Sequence, residues 1–193
     1  MAFPKFYILR HGQTEWNVAA RLQGQLDSPL TQAGQDQAQR QAEIMRPVLE
    51  QNPTLSMFTS PQGRARSTAK IVGDSLMYGF VTDVRLREIG AGPWDGSYLA
   101  DIKQSHSALF NQARNAFELM FLAPDGEGQH AVQRRCEAFL TEQTAPAILV
   151  THGATLCVLR GILRGMSFDE TLNLEHEQGC VYVIENGKET ILR

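Results

Sequence analysis

Cysteine is scarce in this chain: there are three in 193 residues, Cys136, Cys157 and Cys180, an odd number with no C-x-x-C spacing. Such a set argues against a disulfide framework or a zinc-thiolate site and reads as reduced thiols in a cytosolic core. Long apolar runs are missing too; no stretch reaches the ~18 consecutive apolar residues of a membrane span. Met1 to Lys5 is too short and polar to open a signal peptide, so the cytoplasm is the expected compartment. Neither sign of charge dominates, with 18 Lys and Arg against 21 Asp and Glu for a net −3. General attraction for nucleic acid or an anionic membrane is therefore not expected, and any anion site has to be built locally from a few placed cations. Internal repeats, low-complexity tracts and linkers rich in Gly, Pro or Ser are absent as well. A chain of 193 residues can bury a core without staples, and residues 1–193 are read as one domain. H-E-x-x-H, H-x-x-E-H and aspartate clusters do not occur, so neither metal nor cofactor is expected.

What is present is a strand ending that occurs twice. Phe6 to Leu9 is an apolar run that stops at Arg10-His11-Gly12, and Ala147 to Val150 runs into Thr151-His152-Gly153. Strands buried on both faces of a parallel sheet read as continuous apolar runs, and open α/β sheets bind ligands beyond the carboxyl ends of their strands. Two strands would thus deliver two imidazoles to one rim.

Elsewhere the pattern alternates helix and strand. Residues 14–21 read as a short helix behind Thr14. Thr31 is a good N-cap for a long helix with Ala38, Ala42, Met45 and Leu49 on one face, which Pro47 should kink or fray. Thr54 to Thr59 is a short strand, after which Ser60 should cap, and Pro61 open, a helix with Ala65, Ala69, Val72 and Leu76 inward. Phe80 to Val84 reads as a third strand, followed by a loop from Leu86 to Gly96. Residues 97–124 read as two helical pieces marked by Phe110, Ala113, Phe117 and Met120, and residues 97–130 as a lid over the strand ends. A helix bearing Val132, Cys136 and Phe139 comes next. After the Ala147–Val150 strand, a helix from Ala154 to Arg164 is closed by Gly165. Asn186-Gly187 between two apolar runs predicts an antiparallel hairpin, Cys180–Glu185 with Lys188–Leu192. The fold expected is α/β: a three-layer α/β/α sandwich with a mostly parallel sheet and a C-terminal antiparallel hairpin.

Of five histidines, His106 and His176 read as satisfied surface or core residues, whereas His11 and His152 each end a buried strand and precede glycine. Arg10 would be costly beside a core strand unless an anion met it. Arg64 would stand near a helix N-terminus, where backbone donors and the helix dipole favour negative charge, while Arg40 and Arg66 read as solvated. Two guanidiniums, two imidazoles and helix amides at one rim suit a phosphoryl dianion.

The octet Arg10-His11-Gly12-Gln13-Thr14-Glu15-Trp16-Asn17 resembles the signature of the histidine phosphatase superfamily, also called the phosphoglycerate mutase-like family. Further blocks resemble it in the family's order: Gln23-Gly24, Asp27 and Pro29-Leu30-Thr31 with Gly34; Ser60-Pro61 with Arg64-Ala65 and Thr68-Ala69; Leu86-Arg87-Glu88 with Gly92, Trp94 and Gly96; Gly126-Glu127 with Arg135; and Val150-Thr151-His152-Gly153. The resemblance implies a phosphoglycerate mutase-like fold in which His11 is the nucleophile that forms a phosphohistidine. It implies Arg10, Arg64 and His152 as phosphoryl-stabilising groups and Glu88 as proton donor and then base. Asn17 stands at the pocket edge, with polar contacts from Gln23, Gly24 and Gly153. His152 is expected to work best as a cation, and Glu88 needs a raised pKa or a proton brought by the substrate. Glu127 could tune the pocket, and His130 could face it.

Some positions depart from the family pattern. Gln62-Gly63 replaces a more usual apolar-plus-polar pair before Arg64, Gly128 stands where serine is frequent, and Ala131 where an acid is common. The leading expectation is hydrolysis of a phosphate monoester. A mutase is the alternative, but the segment from Tyr98 to Asp125 is short, with Arg114 its lone arginine and Lys103 nearby. A non-catalytic phospho-ligand binding protein is the reading from another class, and it would require a lost nucleophile or acid. The expected partner is a small phosphate ester, with no nucleic acid or membrane, and a homodimer stays open.

Overall fold

The structure, a computed structural model, describes residues 3–193. Its centre is a six-stranded sheet made of β1 (Phe6–Arg10), β2 (Ser56–Thr59), β3 (Val81–Thr82), β4 (Ala147–Thr151), β5 (Val181–Glu185) and β6 (Lys188–Leu192). Their order is β3-β2-β4-β1-β5-β6. The first four strands across the sheet run parallel, and β5 and β6 are antiparallel to their neighbours. Successive side chains of a strand point to opposite faces, and β1 uses both. Phe6 and Ile8 join one core with Val132, Cys136, Phe139 and Leu156, while Tyr7 and Leu9 join another with Ala42, Met45, Ala69 and Val72. This is the expected three-layer sandwich with its C-terminal hairpin.

Helices α1 (Glu15–Val18), α2 (Gln32–Gln51) and α3 (Gly63–Leu76) follow in chain order. Thr31 caps α2 by accepting the Gly34 N–H at 3.0 Å. Pro47 does not end that helix, which continues to Gln51. Pro47 and Glu43, whose carbonyl it leaves without a helical donor, both lie on the exposed face, where water can serve instead. The start of α3 is the larger correction. Ser60 and Pro61 stand outside the helix, whose N-cap is Gln62 with no side-chain cap bond. The capping carboxylate comes from Asp27, which accepts the N–H groups of Gly63 and Arg64. The expected third strand shrinks to two residues and is followed by a 3-10 turn at Val84–Leu86.

Three short helices, α4 (Leu99–Ser105), α5 (Ser107–Gln112) and α6 (Ala116–Phe121), replace the two pieces expected across the strand ends. The lid ends with them, because α7 (Gly128–Glu142) buries Val132, Cys136, Phe139 and Leu140 in the core. Helix α8 (Gly153–Arg164) closes at Gly165 (φ +67°), and α9 (Phe168–Thr171), capped by Ser167, was not expected. Asn186 and Gly187 both take positive φ, 52° and 73°, the turn that matches the twist of a two-residue hairpin. Among the described residues no helix is long and apolar enough to cross a membrane.

Candidate active site

The register of β1 on β4 places Arg10 opposite Thr151, so the next residue of each strand, His11 and His152, leaves the sheet at one level. The two ring centroids lie 5.1 Å apart, tilted by 57°. His11 is 2% exposed and His152 fully buried. The Nδ1–H of His11 donates to the Gly12 carbonyl at 2.8 Å, which leaves its Nε2 with a lone pair. Gly12 has to be glycine, since a Cβ there would overlap the Gly34 carbonyl. Ser60 Oγ lies 2.7 Å from His152 Nε2, nearer than its 3.4 Å to Gln62 Oε1. The hydroxyl proton therefore goes to His152 Nε2, and Nδ1 of that ring carries the hydrogen.

Arg64 is 2% exposed. Its Nη2 donates to the Gly24 carbonyl at 2.9 Å, and its Nη1 to the Leu26 carbonyl at 2.6 Å and to Asp27 at 3.2 Å. Gly24 takes φ +50°, and a Cβ there would overlap the Asp95 carboxylate. Its carbonyl thus holds Arg64 in place. Arg10 donates through Nη1 to the His176 carbonyl at 2.7 Å. Among the described residues Arg10 Nε, Arg64 Nε, His152 Nδ1 and Gln23 Oε1 are buried and meet no hydrogen-bond partner. Buried donors without partners are costly in a folded protein, and three of them gathered beside His11 suit an oxyanion with several acceptor oxygens.

Glu88, 6% exposed, sits at the opening turn of α8. Its Oε1 accepts from the N–H of Ile89 (3.0 Å) and Thr155 (3.1 Å), and its Oε2 from Ala154 (3.2 Å). The carboxylate is fixed by backbone donors from two elements. Arg10, His11, Asn17, Gln23, Gly24, Arg64, Glu88 and Gly153 line one cavity of about 150 Å³, and the buried His152 ring stands next to that of His11. Asn17 already uses its Oδ1 to accept the Thr14 N–H in a capping box.

Other residues fall differently from expectation. Glu127 is absent from the cavity wall; it pairs with Arg135 at 2.7 Å and accepts the Gly90 N–H, bracing the acid loop from behind. His130 is exposed on α7. His176, read as a bland residue, does line the cavity, and Gln178 of the same loop donates to the His11 carbonyl at 3.0 Å. No local pattern announced that loop. Arg21 was missed too. Its guanidinium lies 3.8 Å over the Trp16 ring at the cavity wall and donates to the Gly96 carbonyl.

Burial, then Arg64 and Arg10, holds the His11 pKa well below the ordinary histidine value. His152 is likewise lowered, by burial and then Arg64 and His11. The His152 ring is therefore held neutral, against the expectation of a cation. His176 is lowered as well, by burial and then Arg10. For each ring the unfolded chain binds a proton below about pH 6.5 that the folded chain refuses, so stability rises with pH through that window. Denaturant unfolding should show stability falling between about pH 6.5 and pH 5, each ring contributing up to about 1.4 kcal/mol per pH unit. Stability that is flat or rising on acidification would contradict neutral burial.

A family model described as histidine phosphatase superfamily (branch 1) matches residues 6–191. A protein named probable phosphoglycerate mutase GpmB, from Yersinia pestis (strain Pestoides F), is 34% identical over 165 residues, covering 83% of this chain and 74% of that one. The solved structure of Bacillus stearothermophilus YhfR superposes with a TM-score of 0.81 at 32% identity, covering 97% of this chain and 95% of the other. The alpha-ribazole phosphatase from Shigella flexneri gives a TM-score of 0.77 at 27% identity, covering 98% and 94%. With residues 6–191 matched by that family model and nearly its whole length superposed on a solved relative, the chain belongs to the histidine phosphatase superfamily.

Proposed function

We propose that this enzyme hydrolyses phosphate monoesters of small, uncharged alcohols through a phosphohistidine on His11. The observation that carries the reading is the His11 Nε2 lone pair, held by the Gly12 carbonyl, beside three buried donors without partners. His11 Nε2 attacks phosphorus in line, the N–P bond forms as the P–O bond to the alcohol breaks, and Glu88 hands the leaving oxygen a proton. Glu88 then takes a proton from water as the water oxygen attacks phosphorus and the N–P bond breaks, releasing inorganic phosphate. Arg10, Arg64 and the His152 Nδ1–H meet the equatorial oxygens, where charge is spread in a loose transition state.

The far wall favours hydrolysis over a mutase. Leu99, Ala116, Phe117 and Met120 of the lid face the cavity. The lid cations are engaged elsewhere, Arg114 with Glu118 and Asp169, and Lys103 over the Phe110 ring. Arg21 is stacked on Trp16. A substrate carrying a carboxylate beside its phosphate meets few free cations there. The test is purified protein against p-nitrophenyl phosphate, short alkyl and benzyl phosphates, and 3-phosphoglycerate with its bisphosphate cofactor. Phosphate release from the uncharged esters, at kcat/KM about tenfold or more above that for 3-phosphoglycerate and without isomerisation, is the expected result. Isomerisation of 3-phosphoglycerate faster than any phosphate release would overturn the reading.

A further inference from the structure

Gln62 is the residue that set this chain apart from the family pattern before Arg64, and its side chain is engaged away from the helix it caps. It makes no cap bond to α3. Instead Oε1 accepts the Glu88 N–H at 2.6 Å, and Nε2 donates to the Gly24 carbonyl at 2.9 Å. That carbonyl is the one that takes Arg64 Nη2. The backbone N–H of Gln62 donates in turn to Ser60 Oγ at 3.2 Å, the hydroxyl that faces His152. Three distant stretches of chain, around Gly24, Ser60 and Glu88, thus meet on one side chain and its own amide.

We propose that Gln62 is a positioning residue that fixes the Glu88 backbone against the phosphate cup. A carboxamide is one flat unit with its acceptor and donor on a single carbon. The Glu88 N–H and the Gly24 carbonyl are therefore held at a set separation. The Glu88 carboxylate is tied at its other end to the α8 amides, so the acid is gripped by main chain on one side and side chain on the other. Leucine at this position would offer neither bond, leaving the Glu88 N–H without its acceptor and Arg64 alone on the Gly24 carbonyl. The acid would lose alignment, and a misplacement of about 1 Å costs on the order of 10²-fold.

The inference rests on Glu88 being the proton donor of the proposed reaction, and its test separates the two. Gln62→Leu should lower kcat for an alkyl phosphate about tenfold or more, while kcat for p-nitrophenyl phosphate, whose leaving group needs little protonation, falls less than about threefold. Gln62→Glu keeps an acceptor for the Glu88 N–H but turns an oxygen toward the Gly24 carbonyl. It should hold the alkyl-to-aryl ratio near the parent value while raising KM. An unchanged ratio in Gln62→Leu overturns the proposal, whether both rates fall together or neither moves. If that variant does not fold, Gln62→Glu decides alone: raised KM with the ratio kept supports it, and an unchanged KM overturns it. Glu88→Gln is measured on the same two substrates. Equal slowing on both would remove the acid role itself; a steep ratio change there without one in Gln62→Leu would remove only the role of Gln62.

Discussion

His11→Ala abolishes turnover, by at least about 10⁴-fold in kcat, and with it any acid-labile phosphoprotein trapped by rapid quenching with labelled substrate. The reason is positional. His11 presents an unprotonated nitrogen into the cavity because its other nitrogen is committed to the Gly12 carbonyl, and burial with two guanidiniums keeps the ring neutral. His152 cannot substitute, since its Nε2 is turned to Ser60 and its Nδ1 carries the hydrogen. The guanidiniums are untouched by the change, so inorganic phosphate should still bind the variant within about tenfold of the parent affinity. Retained turnover would remove His11 as nucleophile; lost phosphate binding would show that the substitution had damaged the cup itself.

The second large effect is expected of Arg64→Met, which acts on chemistry and on folding together. The guanidinium ties the Gly24 and Leu26 carbonyls and Asp27, and its Nε is left over for the phosphoryl group. Loss of the transition-state contact should lower kcat/KM by about 10³-fold. Loss of the donor to the buried Gly24 carbonyl, and of those to the Leu26 carbonyl and Asp27, should cost about 2–4 kcal/mol in denaturant unfolding. Arg64 is also the charge that most strongly opposes protonation of both His11 and His152, so its removal should move both imidazole titrations upward when followed by NMR. Lysine should recover little, because a point charge cannot reach both carbonyls and the substrate at once. A kcat/KM within threefold of the parent would sink the assignment of Arg64 to the phosphoryl group.

The parts of this molecule that were legible in its residues were those decided locally. The β1 and β4 strands are apolar runs ended by histidine and glycine, and the register between them follows once both are buried on two faces. The Asn186-Gly187 turn needs two positive φ values, and that pair of residues supplies them. The start of α3 is not legible locally because the group that caps it, Asp27, lies 36 residues earlier than Gly63 and no local window contains both. Pro47 does not end α2 because the cost of a missing N–H depends on whether the orphaned carbonyl faces water. The three lid helices escape a periodicity reading because they are six or seven residues long and owe their existence to Trp94, Phe117 and their neighbours rather than to a sustained period. The His176–Gln178 loop carries no motif at all. It enters the site through a backbone carbonyl and a side-chain amide, and carbonyls leave no trace in a sequence.

That loop has a consequence for how the protein is made. Arg10 is held by the His176 carbonyl and the His11 carbonyl by Gln178, while β5 closes the free side of β1. Translation proceeds from the amino end, and domains emerge in that order. His11, the proposed nucleophile, is therefore synthesised well before β5, and its surroundings stay open until Val181–Glu185 has left the ribosome. A nascent chain halted before that point should carry every catalytic side chain and remain inert.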